Sequence, residues 1–342
     1  MRAVVISRHG GPEVLQVEER TDPPVGADEV RIAVRAAGLN FADTLARVGL
    51  YPEAPDPPCV VGYEVAGEVE SVGEGVSELS VGDRVLAGTR FGGHAELVSV
   101  AAAQVLALPE RFSFEQGTAL PVNYATAYAG LVRMGGLDAG ERVLIHAAAG
   151  GVGIASVQLA KLRGAEIFGT ASASKHEAIR SQGVDHAIDY RTGDFEQEVL
   201  RLTDGEGVDL IFDALGPSSF RKDYRLLRQG GRLIMYGASE VQEGTGRSIP
   251  RVISSLALMP LATMPWWKSL GTLSENKGVF GLNLLAWWDR EGLDRIIQPL
   301  RELLERSEIE PIVAETFPFE RAGEAHHYLA ERRNVGKVVL VP

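Results

Sequence analysis

The sequence predicts a two-domain α/β protein: a β-rich domain joined to a doubly wound parallel sheet. Three observations predict it. At 342 residues, and with roughly 100–200 residues per domain, two domains are favoured. Up to residue 122, short β-branched runs alternate with Gly- and Pro-containing turns. From Tyr124 onward, apolar strands alternate with helical stretches, which is the signature of parallel βαβ units.

The β-rich part reads as strands at Arg2–Ser7, Val30–Ala36, Tyr63–Val72, Asp83–Ala87 and Ala95–Val100, separated by turns such as SVGEGV and SVGD. The second part opens on the strand Arg142–His146. Helix Ile154–Arg163, strand Ala165–Thr170, helix His176–Gln182, strand His186–Asp189 and helix Asp194–Leu202 follow. Then come strand Val208–Asp213, helix Phe220–Leu227, a Gly-Gly turn and strand Arg232–Gly237. Extended runs return at Pro311–Phe317 and Lys337–Val341. The expected division is therefore 1–122, completed by 288–342, around a second domain at 123–287. The apolar segment Gly244–Leu270, broken by Pro260 and Pro265, keeps three readings open: a packed helix, a lid, or a membrane-surface contact.

Composition excludes several classes. The chain is 45% hydrophobic and 23% charged, enough for packed cores. The net charge of −12 argues against a nucleic-acid partner, since phosphate binding needs concentrated Lys and Arg. Cys59 is the lone cysteine, so no disulfide within the chain and no cysteine-rich metal site can form, and it reads as a buried apolar residue. No run of about 18 apolar residues is present, so no transmembrane segment is expected. The opening MRAVVISRHGG lacks a signal peptide's apolar run, and the expected compartment is cytoplasmic.

The strand RVLIH runs into Ala147-Ala148-Ala149-Gly150-Gly151-Val152-Gly153 and then a helix. This is the dinucleotide fingerprint with Ala148 at the first glycine position. Gly150 lets the backbone approach a pyrophosphate, and Gly153 lets the helix pack on the strand. The next strand, AEIFGT, ends where the adenosine ribose would lie. Asp or Glu there would grip a 2′-hydroxyl, but the chain has Ala171-Ser172-Ala173-Ser174-Lys175. No carboxylate repels a 2′-phosphate and Lys175 attracts one, so NADPH is expected over NADH.

At these residues the sequence resembles the quinone oxidoreductases, the zeta-crystallin-like, zinc-free group of the medium-chain dehydrogenase/reductase superfamily. The resemblance runs along the whole chain, with AAGLNFADTLARVGLYP, VGYEVAGEVESVG, HAAAGGVG and NVGKVVLVP its specific pieces. ENKGVFGLNLL and the ending are more similar to the branch of the synaptic-vesicle membrane protein. The resemblance implies a GroES-like catalytic domain, a Rossmann domain and a homodimer formed by pairing Rossmann sheet edges; the strand Gly278–Asn283 is the proposed edge. It places Asn40 and Thr126 toward the nicotinamide. It places Gly150, Gly151 and Val152 at the pyrophosphate, and Ser172, Lys175 and Tyr190 around the adenosine phosphate. Gly237, Phe280 and Asn334 would close over the cofactor.

Zinc-dependent members carry Cys, His-Glu and Cys at the active metal. Asn40, Tyr63 and Val122 stand at those positions, and an amide, a phenol and an alkyl group make no tetrahedral zinc site. No bound metal is expected. Leu45 replaces a Tyr frequent in quinone reductases, while Tyr51 remains. Tyr51 and Tyr63 are the candidate catalytic residues, lining an apolar pocket with Leu45. Asp43 and Glu64 read as loop anchors, His146 as a packed core histidine, and His326-His327 as solvated surface. The expected activity is hydride transfer from NADPH to a small apolar conjugated acceptor: a quinone, an enone or an enoyl thioester. An enoyl-CoA or polyketide-type enoyl reductase is one alternative, and a cofactor-binding trafficking or interaction protein with little catalysis is the other.

Overall fold

The computed structural model describes residues 1–243, 246–247, 273–287 and 294–342. It divides into two compact units. Unit 1 comprises Met1–Asn123, the described residues of Glu243–Arg247, and Gln298–Pro342; unit 2 comprises Tyr124–Gln242 and the described residues of Ser248–Ile297.

Unit 1 is built on strands β1 (Arg2–Ile6), β2 (Leu15–Glu19), β3 (Glu29–Leu39), β4 (Glu64–Val72), β5 (Arg84–Gly88), β6 (Leu97–Ala101) and β7 (Val105–Ala107). Inward and outward positions alternate along the first half of β3: Val30, Ile32 and Val34 are buried while Glu29, Arg31 and Ala33 are less so, as expected of a sheet with one covered face. Arg31 and Arg35 reach outward to Glu70 and Glu68 on β4. The inward set, with Val65, Val69, Val85, Val98, Phe319, Val338 and Leu340, forms one core. Fully burying each such side chain contributes about 1.5–3 kcal/mol. Sequence reading misses the helix Phe41–Arg47, which starts where the Asp43 carboxylate accepts the Asn40 N–H at 2.7 Å.

Unit 2 holds β8 (Arg142–Ile145), β9 (Glu166–Ala171), β10 (His186–Asp189), β11 (Val208–Asp213), β12 (Leu227–Met235) and β13 (Gly278–Gly281). They make one parallel sheet in the order β10-β9-β8-β11-β12-β13. Its strands are near-continuous apolar runs because helices cover both faces of such a sheet. Leu144, Phe168, Ile188, Val199, Ile211, Leu226 and Leu233 share the core. Strand order reverses between β8 and β11, and in open α/β sheets ligands bind beyond the carboxyl ends of strands at such a switch point.

The chain then supplies β14 (Val313–Pro318) and β15 (Lys337–Val341) to unit 1. β15 lies antiparallel to β3 and parallel to β14. The main sheet of unit 1 runs β14-β15-β3-β4-β5-β7, with β6 also on β3.

Candidate functional site

In unit 2 the site begins where β8 ends. Gly150 is the extended residue before the twelve-residue helix Gly151–Leu162, and no side chain caps that helix. Its first-turn N–H groups and the positive end of its dipole are therefore offered to an anion. At Gly153 a Cβ would come within 2.2 Å of the Ala147 carbonyl oxygen, so only glycine lets the helix sit this close to the loop. The residues fit a dinucleotide pyrophosphate.

β9 and β10 pair in parallel with Ala171 opposite Asp189. That register sets the next residues, Ser172 and Tyr190, side by side at the strand ends. Ser172 opens the short turn Ala173–Lys175, and its carbonyl accepts the Lys175 N–H at 2.9 Å. The carboxylate on the neighbouring strand, Asp189, accepts from Thr192 and the Arg191 N–H at 2.7 and 3.0 Å, and it also accepts the Ala173 N–H of that turn. Gly237 follows β12 by two residues and lies against Ala214, just past β11. Phe280, on the edge strand β13 opposite Ile234, is 42% exposed. Thr126 is buried in the helix Pro121–Ala127.

In unit 1 a buried polar network surrounds Asn40. Its Nδ2 donates to Glu64 Oε1 at 2.9 Å, and its Oδ1 accepts from Lys337 Nζ at 2.7 Å. Lys337, wholly buried, also bonds Glu64, and Glu64 Oε2 accepts the Val122 N–H at 2.7 Å. Asp43 accepts the N–H groups of Asn40 and Gly62 at 2.7 and 3.0 Å. Burial raises its pKa, with His94, 3.9 Å away, opposing. Both acids thus act as loop anchors. Asn334 donates to the Gly336 carbonyl at 2.8 Å.

Tyr63 is 5% exposed, its ring packed edge-on to Tyr51 at 6.0 Å and tilted against Phe91 at 5.5 Å. Its hydroxyl has no hydrogen-bond partner among the described residues. Burial pushes the Tyr51 phenol up to about 12, with Glu53 and Asp43 adding to it, and burial pushes Tyr63 higher still. Both hold their protons at neutral pH. Leu45 is half-buried on the helix Phe41–Arg47.

Two expectations are corrected. His326 is not solvated: it is wholly buried, with Nδ1 3.4 Å from Arg47 Nε, while its neighbour His327 faces solvent. The helix Ala322–Ala330 turns Ala322, Ala325 and His326 inward, and that face, not the local polarity, decides. Cys59 is half-buried, packed at the margin of the Ile6, Val14, Ala46 and Val61 cluster. The Gly244–Leu270 segment lies outside the described residues apart from Gly246 and Arg247. Sequence reasoning missed Lys337; its one signal is a lysine opening the otherwise apolar strand KVVLV.

No helix among the described residues is long and apolar enough to cross a membrane. Residues 26–110 match the family described as alcohol dehydrogenase GroES-like domain, and residues 182–340 that described as zinc-binding dehydrogenase. The human synaptic vesicle membrane protein VAT-1 homolog is 40% identical over 100% of this chain and 86% of its own length. Among solved structures, the quinone oxidoreductase of Escherichia coli complexed with NADPH is similar with TM-score 0.84, 30% identity and 100% of both chains covered. The CurK enoyl reductase is similar with TM-score 0.84 and 30% identity, over 99% of this chain and 98% of its own. The chain belongs to the medium-chain dehydrogenase/reductase superfamily of oxidoreductases, in the quinone oxidoreductase-like branch near the VAT-1 homologues.

Proposed function

We propose that this protein is a metal-independent, NADPH-dependent reductase that passes hydride to a conjugated acceptor, a quinone or an activated C=C bond. The observation that carries it is the pairing of an uncapped helix start at Gly151 with a turn after β9, Ser172 to Lys175, that brings a lysine and no carboxylate of its own. When bound, the nicotinamide cofactor supplies the hydride. The first-turn N–H groups of the helix hold the pyrophosphate, and Lys175 with Ser172 holds the 2′-phosphate beside Tyr190. The neighbours described as a quinone oxidoreductase with NADPH and as an enoyl reductase support both the cofactor and the acceptor class.

Zinc does not fit the residues at its superfamily positions. Asn40 has its amide oxygen committed to Lys337, Tyr63 is a buried phenol with a raised pKa, and Val122 offers only alkyl carbon and a backbone N–H that bonds Glu64. A conjugated acceptor needs no Lewis acid to polarise it as an alcohol or aldehyde does. Leu45, Tyr51 and Tyr63 line the apolar pocket, and Tyr51, the less buried phenol, donates a proton or hydrogen bond to the acceptor oxygen. The working form is a homodimer that pairs β13 edges.

The test is binding and turnover together. A charged hydrogen bond is worth roughly 1.5–3 kcal/mol, so NADPH is expected to bind about tenfold or more tightly than NADH, and Lys175→Ala to abolish the preference. A panel of quinones, enones and enoyl-CoA thioesters of growing alkyl size is expected to show turnover that rises with apolar bulk. Small polar aldehydes or alcohols reduced best, or an unchanged ratio in Lys175→Ala, would overturn the reading.

A further inference from the structure

A buried polar chain at the end of β8 takes no part in the steps above. His146 is wholly buried. Its Nε2 lies 2.9 Å from Asp223 Oδ1, its Nδ1 lies 3.1 Å from Thr170 Oγ, and Phe195 packs edge-on against the ring at 4.8 Å. Asp213, bonded by the Ser219 hydroxyl and the Leu215 N–H, closes the same group. With both ring nitrogens engaged and an aromatic wall beside it, the imidazole has one orientation. Thr170 Oγ is thereby fixed, and it accepts the Ala147 N–H at 3.2 Å.

Ala147 is where this chain meets the phosphate loop. Its φ is 51°, in the left-handed region that a residue with a Cβ seldom adopts. Its side chain is exposed, so packing does not hold it there. Its backbone groups do. The N–H is bound by Thr170, and the carbonyl accepts the Gly150 N–H at 2.8 Å. That same oxygen is the atom a Gly153 Cβ would meet. The Ala147 backbone therefore sets where Gly150 to Gly153 lie, and with them the direction of the first-turn N–H groups. All of this falls at the β8/β11 switch point, where β9, β8 and β11 contribute Thr170, His146 and Asp213 from adjacent strand ends.

We propose that Thr170 is a positioning residue for the dinucleotide phosphates: its hydroxyl, held by His146 and Asp223, pins the Ala147 N–H and presets the loop that opens the helix. This rests on the reading of that loop as the pyrophosphate site. Affinity for a pyrophosphate-containing ligand then depends on the hydroxyl, whereas affinity for a ligand bound only at the β9 end does not.

Dissociation constants for NADPH and for adenosine 2′-monophosphate, which carries the 2′-phosphate without the pyrophosphate, test this on the full chain. Thr170→Val is expected to weaken NADPH about fivefold to tenfold, the effect of one hydrogen bond, and to leave adenosine 2′-monophosphate unchanged. Thr170→Ser restores NADPH affinity. Ala147→Gly in the Thr170→Val background recovers most of the loss, because glycine holds a left-handed backbone without a tether. Should Thr170→Val not fold, Thr170→Ala, which removes the hydroxyl and cannot overpack, carries the same comparison. Wild-type NADPH affinity in these variants, or parallel loss of both ligands, would overturn the proposal and leave the functional reading standing. A wild-type protein that binds neither NADPH nor NADH would overturn that reading, and this one with it.

Discussion

Lys337 is a buried cation in unit 1. Its ammonium is bonded to Glu64 and Asn40 with no solvent beside it. Removing one partner of a buried ion pair leaves a charge in a low-dielectric interior, which costs about 3–5 kcal/mol. Lys337→Met is expected to destabilise the protein by about that much in chemical denaturation. The double variant Lys337→Met/Glu64→Gln is expected to recover part of it, since no charge is then stranded. A single variant within 1 kcal/mol of wild type would show the pair to be dispensable. The Asn40 end of this network was legible in the sequence as a residue in place of a cysteine; its lysine was not, because the two lie 297 positions apart and no local pattern links them.

At the scale of elements, the parallel sheet was legible almost strand by strand. Strands covered on both faces read as unbroken apolar runs, and the glycine loop fixed which came first. Other elements hid for physical reasons. The helix Phe41–Arg47 is seven residues long, too short for periodicity to show. The helix Asp294–Glu305 carries Pro299 inside it, a residue that argues against helix in any local reading. The edge strand β13 has no sheet neighbour on its outer side among the described residues, and it presents Phe280 to solvent. Unpaired edges with apolar side chains invite pairing, and a two-fold dimer closes them. The proposed dimer is expected in light scattering at micromolar concentration, and Phe280→Asp is expected to shift it to monomer. A wild-type monomer would refute it.

The stability of the whole molecule should record its buried titrating groups. His326 has its pKa held well below the usual imidazole value, first by burial and then by the Arg47 and His94 charges. An unfolded chain takes up a proton there near pH 6.5 while the folded one does not, so the contribution of His326 to stability is present above that pH and is lost as pH falls below it, by at most about 1.4 kcal/mol per unit. Asp213 works the other way. Burial raises it to about 7, with His146 opposing and Asp223 adding to the rise, so its contribution is full below pH 3.8 and is lost as pH rises from there through about 7. Comparing His326→Asn with wild type isolates the first effect: the stability difference should move in favour of the variant as pH drops from 7 to 5. A difference independent of pH would mean that His326 charges freely in the folded state.

The bond between Asn40 and Lys337 also has a meaning in time. On a ribosome adding 5–20 residues per second, those two partners emerge about 15–60 s apart. Through that interval Glu64 and Asn40 wait without their cation, and β3 lacks the strand that later lies beside it. Strands β8 to β12 of unit 2 come from one continuous stretch of chain and need no such delay. The order of synthesis therefore favours a nascent protein whose glycine-loop half is shaped first, and whose Asn40 half is completed only when the β15 segment arrives.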